Sequence, residues 1–232
     1  MRQLIRGVRG VVPARLEPLV LALVGSTSVS LLLFAARVFG ADNFRFGFLF
    51  WNLLLAFVPL LLVVALVHNL ARQRWFSWQN LGLTFLWLGF LPNSFYILSD
   101  LIHIHLTGEI NILFDVVLFF SFIFNGYVFG FWSLYLVHRE LLKRFSRDLA
   151  HVTVAGILLT CSFAIYLGRY LRWNSWDVFL HPFGILFDVS GRLANPVAHP
   201  QSVTTTLTFF MLLGSIYWVI FEFVNLLRGQ RR

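Results

Sequence analysis

Six stretches of this chain run almost without charge: about 18–39, 46–70, 79–98, 112–137, 152–171 and 203–227. Each is close to the roughly 20 residues that an α-helix needs to cross the hydrocarbon of a bilayer. The reading is an all-α integral membrane protein, a bundle of six transmembrane helices. Only 12% of the 232 residues are charged, against roughly 25% in a soluble domain. The polar segments between the runs leave no room for a second, soluble domain, so 1–232 reads as a single membrane domain.

The net charge of +8 raises nucleic acid as a partner and its distribution argues against it. The basic residues stand at the ends of the apolar runs, where topology signals are placed, and form no binding face. Cys161 is the only cysteine and lies inside an apolar run, so neither an intrachain disulfide nor a cysteine-based metal site is expected. Met1–Glu17 is basic, and the run beginning at Pro18 is longer than the roughly 7–15 apolar residues of a signal peptide. It reads as a retained first span.

Orientation follows from lysine and arginine. One set of span ends collects Arg2, Arg6, Arg9 and Arg15, then Arg72 and Arg74, the 139–147 block, and Arg228, Arg231 and Arg232. The opposite set keeps Arg37, Arg45, Arg169, Arg172 and Arg192. The positive-inside rule then puts both termini in the cytoplasm of a cell whose inner membrane holds the protein. Within the first span Ala22, Ser26 and Ser30 recur every four residues, a small-residue stripe suited to close helix packing. Pro59 should kink the second span and Pro92 weaken the third.

With that topology, three polar pieces gather at the outer face. The first is Leu91–His105, LPNSFYILSDLIHIH. At about 100° per residue, Asn93, Tyr96, Asp100 and His103 fall within a sector of about 80°, provided the helix continues that far. The second is Asn111 and Asp115, with Asn125 on the same face of the fourth span. The third is a stripe of Ser162, Tyr166, Arg169 and Trp173 on the fifth span, extended to Asp177 if the helix runs on into the long loop 172–202. An ionisable group within a span costs at least about 2.5–3.5 kcal/mol, so Asp115 and Arg169 need partners. An Arg169 pair with Asp115 or with Asp100 is the economical expectation.

Two chemistries suit these residues. His103 and His105, with Asp100, are candidate ligands for a divalent metal, though His-x-His aligns both rings only on an extended segment. Arg169 and Arg172 are guanidinium forks that match phosphate, and Trp173, Asn174 and Trp176 beside them sit well at headgroup depth. That set describes a pocket for an anionic lipid head, and the same residues would also serve as a plain interfacial anchor.

The segments 91–103 (LPNSFYILSDLIH) and 166–177 (YLGRYLRWNSWD) resemble a bacterial integral-membrane family known as domain of unknown function 1361. Its pattern has LPN, a tyrosine, Thr-Asp and histidine, then a GR-x-x-RWNSWD block. Ser99 stands here where threonine is expected, keeping a hydroxyl, and Phe95 where proline is usual. The resemblance marks Asn93, Tyr96, Asp100, His103, Arg169, Arg172, Trp173, Asn174 and Asp177, and it implies no reaction.

Three functions fit. The first is an extracytoplasmic site for membrane lipid, holding an anionic or lipid-linked headgroup, in which Asp100 or His103 would be the acid/base and Asn93 and Tyr96 orienting donors. The second is a small-solute or proton-coupled transporter in which Asp115 titrates, although no internal repeat supports it. The third is a membrane assembly partner with no chemistry.

Overall fold

The computed structural model describes residues 17–105 and 111–229. Of the residues used above, Arg2, Arg6, Arg9, Arg15, Arg231 and Arg232 lie outside them. The order is α1 (Glu17–Ala41), α2 (Gly47–Leu70), α3 (Trp78–Tyr96) with a 3-10 turn (Ile97–His103), α4 (Ile112–Leu142) and α5 (Arg147–Tyr170), then α6 (Asp177–Leu180), α7 (Pro182–Ala194), a 3-10 turn (Pro196–Ala198) and α8 (Pro200–Gly229). Helices α1–α5 and α8 are long and apolar enough to cross a membrane, with mean hydropathies of 1.4–2.6 over their best windows. The six expected spans are therefore present, and no strand occurs among the described residues.

Three boundaries differ from expectation for local reasons. α4 runs on to Leu142 because Glu140, buried near its end, is held by Lys143 and Arg144, and Arg144 donates onward to the Leu70 carbonyl at 3.2 Å. α5 starts where the Ser146 hydroxyl caps the Leu149 N–H at 3.3 Å. The 172–202 segment, expected as a loop, folds into α6, α7 and a 3-10 turn, with Pro182 and Pro196 each at the first turn of an element, where a missing N–H costs nothing. Pro59 and Pro92 lie inside α2 and α3, both of which continue through them.

The chain divides into two compact units. Unit 1 holds residues 1–51 and 100–125, thus α1, the start of α2 and the first half of α4. Here Asn125, fully buried, donates to the Ser30 hydroxyl at 2.9 Å and accepts from Thr27 at 3.3 Å. Ser30, the last member of the small-residue stripe, is thus both a packing surface and a polar latch. Phe34, Phe44 and Phe122 meet edge-to-face beside it.

Unit 2 holds residues 52–99 and 126–232. Its α5 packs on α8 and on α3. Ser94 of α3 donates to the Ala56 carbonyl of α2 at 2.8 Å, while Gly126 and Gly130 of α4 lie against Ser94 from the other side. A Cβ on Gly126 would come within 2.8 Å of the Ser94 carbonyl oxygen, and one on Gly130 within 2.7 Å of the Ser94 Cβ. This G-x-x-x-G spacing lets backbones approach closely in lipid, where apolar burial does not draw helices together. Deeper in the unit, Trp87 donates to Ser133 at 2.6 Å, and Ser133 donates to the Pro59 carbonyl at 3.2 Å.

Candidate functional site

The polar cluster of unit 2 is built where α3 ends and α5 ends. α3 gives way to the 3-10 turn at Ile97, so the helical sector expected for Asn93, Tyr96, Asp100 and His103 does not extend past Tyr96. A 3-10 turn stacks residues i and i+3, and Ser99 lies back over Tyr96, donating to its carbonyl at 2.6 Å. The Ser99 oxygen is then left facing outward as an acceptor. Arg169, near the end of α5, fills it with two donors, Nε at 2.9 Å and Nη2 at 2.6 Å. The same guanidinium lies over the Tyr96 ring, 4.5 Å from its centroid, a cation–π contact that fixes its plane. Gly168 makes the fit possible, since a Cβ there would stand 3.0 Å from the Tyr96 ring.

α5 ends one residue after Arg169, at Tyr170. Arg172 takes the left-handed conformation, φ 61°, a backbone that costs a non-glycine residue about 1–3 kcal/mol. The turn lets the Trp173 N–H reach back to the Leu167 carbonyl at 3.3 Å and leaves the Arg172 side chain exposed. Among the described residues Arg172 makes no ion pair. Trp173 therefore leaves the α5 stripe, and Asp177 with it. Asp177 is spent locally: its carboxylate accepts from the Asn174 N–H at 2.7 Å and from the Asn174 side chain at 3.3 Å. Asn93 joins the same segment, donating to Ser175 at 2.7 Å and to the Phe90 carbonyl at 2.9 Å.

Unit 2 thus brings together Asn93, Tyr96, Arg169, Arg172, Trp173, Asn174 and Asp177 of the expected residues. It adds Ser99, Ser175, Asp188 and Arg192. Trp173 Nε1 donates to Asp188 at 2.7 Å; Arg192 bonds Asp188 at 2.9 Å and the Tyr166 hydroxyl at 3.2 Å. That hydroxyl and the neighbouring carboxylate hold the Arg192 pKa above its ordinary value, so its charge is permanent. The sequence signal for this group was present: Pro182 opening a turn, then an i,i+4 Asp188–Arg192 pair on helical spacing.

The remaining candidates belong to unit 1. Asp115, 2% exposed, pairs with Arg37 of α1, Nε to Oδ1 at 2.7 Å. The expected pairing of Asp115 with Arg169 is thereby corrected: a span has to neutralise its own buried charge with the cation its neighbour presents at the same depth, and for α4 that neighbour is α1. The Arg37 guanidinium also lies 5.1 Å from the Phe46 ring centroid. Asp100 is buried, and His103 is exposed with its ring 5.1 Å from that of Phe48. His105 is held by Arg45 through Nε2. Among the described residues no three His, Cys, Asp or Glu side chains are grouped to hold a metal.

The family described as "Protein of unknown function (DUF1361)" matches residues 51–220. No curated protein matches the chain, and no solved structure does. The match covers more than half of the sequence and takes in both the end of α3 and the α5–α7 segment that build the unit 2 cluster, and the chain belongs to that family.

Proposed function

We propose that the unit 2 cluster binds the anionic headgroup of a membrane lipid or lipid-linked molecule at the extracytoplasmic face of a bacterial inner membrane. The observation that carries this is the pair of guanidiniums three residues apart at the end of an apolar span, one held by Ser99 and Tyr96 and the other exposed on a left-handed turn. Arg172, exposed beside that anchored arginine, offers the planar fork that matches phosphate or carboxylate, and Arg169 adds its fixed positive charge three residues away. The tryptophans beside it suit headgroup depth. The orientation rests on the arginine asymmetry of the span ends. The transporter reading has less support, because the carboxylate it needs free to titrate is engaged by Arg37.

The test is native mass spectrometry of the protein released into mild detergent, titrated with phosphatidylglycerol and with phosphatidylcholine. Wild type is expected to retain the anionic lipid preferentially. Arg169→Ala combined with Arg172→Ala should weaken that retention by roughly tenfold or more, the scale of one charged hydrogen bond. Ser99→Ala should reduce it less, and Ser99→Thr, which keeps the hydroxyl, should preserve it. Equal retention of both lipids by a folded wild-type protein would reject the headgroup reading.

A further inference from the structure

α7 presents its charged side chains inward and its large apolar ones outward. Gly184, Ile185, Asp188, Val189 and Arg192 are its half-buried positions and share one helical face. They are held firmly: Gly184 packs against the Trp173 indole, where a Cβ would come within 2.9 Å of the ring, and Asp188 and Arg192 are tied to Trp173 and Tyr166. The opposite face carries Phe183, Leu186, Phe187 and Leu193, exposed by 82%, 61%, 79% and 69%. Ser190, the one hydroxyl there, donates back to the Phe187 carbonyl at 3.0 Å. Leu180 before the helix and Val197 after it, 66% and 88% exposed, extend the apolar surface.

We infer that α7 is an in-plane membrane helix, its Phe183–Leu186–Phe187–Leu193 face seated among the lipids at the boundary between headgroups and acyl chains. Three observations single out lipid as the occupant. α7 lies between two spans, and α8 begins six positions after Ala194, a tether of at most about 20 Å. Its outward face carries large exposed apolar side chains, as do the spans on either side, with Val152 and Leu159 on α5 and Leu207 and Met211 on α8. Its charges are satisfied inward, so it has no cationic face and would enter any leaflet by apolar area alone. In this it differs from the headgroup site: α7 should be indifferent to lipid charge, and neither reading depends on the other.

The experiment uses the full chain in vesicles of phosphatidylcholine, with and without phosphatidylglycerol. Cys161 is buried and is the only cysteine, so a Cys161→Ala background accepts single cysteines at Phe183, Phe187 and Leu193, and at the exposed Gln73 of the α2–α3 turn as control. Each is labelled with a nitroxide, and its collisions with molecular oxygen, which concentrates in lipid, are compared with those of a water-soluble nickel chelate. Oxygen collisions are expected to exceed nickel collisions severalfold at the three α7 positions in both vesicle types, with the order reversed at Gln73. Nickel dominance on α7 would place the face in water, and protection from both reagents would place it against another protein or a second copy; either result overturns the proposal. Should the cysteine variants fail to fold, the unmodified protein is photolabelled by a diazirine-bearing lipid. Adducts concentrated on Phe183, Leu186, Phe187 and Leu193 support the inference, and a segment without adducts overturns it.

Discussion

Replacing Asp115 by alanine is expected to destabilise the protein by about 3–5 kcal/mol, the usual cost of stranding one member of a buried ion pair. Arg37 is 1% exposed and bonds the Asp115 carboxylate at 2.7 Å. Without the carboxylate its guanidinium remains in a low-dielectric interior with one charged hydrogen bond fewer. The measurement is the thermal unfolding midpoint of purified protein in a fixed detergent, with insertion checked by protease protection. The double variant Arg37→Met with Asp115→Leu should recover most of the loss, because exchanging a buried pair for well-packed apolar side chains is often neutral or better. An Asp115→Ala protein that unfolds at the wild-type temperature would show that the pair does not hold α1 to α4. If wild type moved a proton or solute into proteoliposomes and that same variant did not, the transporter reading would regain its footing.

The second large effect is expected at the α3–α4 contact. Gly130→Ala would set a methyl 2.7–2.8 Å from the Ser94 Cβ and the Phe95 ring, and Gly126→Ala would press one against the Ser94 carbonyl at 2.8 Å. Overpacking of this kind costs about 1–3 kcal/mol. The Gly126 change should be harder to absorb, since a backbone oxygen in a hydrogen-bonded helix cannot swing aside as a ring edge can. Gly89 of α3 is the internal control: nothing lies within 4 Å of its Cβ position. Gly89→Ala should be neutral or should stabilise, by up to about 1 kcal/mol from helix propensity. Equal unfolding midpoints for the Gly89, Gly126 and Gly130 alanine variants would refute the close-approach account.

A smaller effect is expected at Gly184. Gly184→Ala forces α7 away from the Trp173 indole and should loosen the Trp173–Asp188 hydrogen bond. Reduced tryptophan anisotropy with an unchanged unfolding midpoint is the expected signature.

The ends of α1–α5 and α8 fell within a few residues of the apolar runs, because span length and hydropathy are local properties of a sequence. The clustering of Asn93 and Tyr96 with Arg169 was approachable for a similar reason, since each lies at the end of a span and polar span ends have few places to go. The geometry at those ends was harder to read. The switch from α-helix to 3-10 turn at Ile97 and the left-handed Arg172 depend on what packs beside them, and each moved residues off an expected stripe: Asp100 and His103 in one case, Trp173 and Asp177 in the other. The 172–202 segment reads as loop because RWNSWD, three prolines and Gly191 punctuate it, and its helices are too short for periodicity to stand out against those breakers.

The sequence alone determined that this chain crosses a membrane six times, because in hydrocarbon a backbone without water must form helices, and the length of each apolar run sets the length of each helix. Tertiary structure decided which charges meet. Asp115 neutralises Arg37, 78 positions away, and Arg169 turns to a serine and a tyrosine on α3 and its 3-10 turn, as the depth and facing of neighbouring helices dictate. It also decided that α7 keeps Asp188 and Arg192 for Trp173 and Tyr166 and shows phenylalanine outward, since a polar pair is satisfied only by partners that other parts of the chain bring within reach.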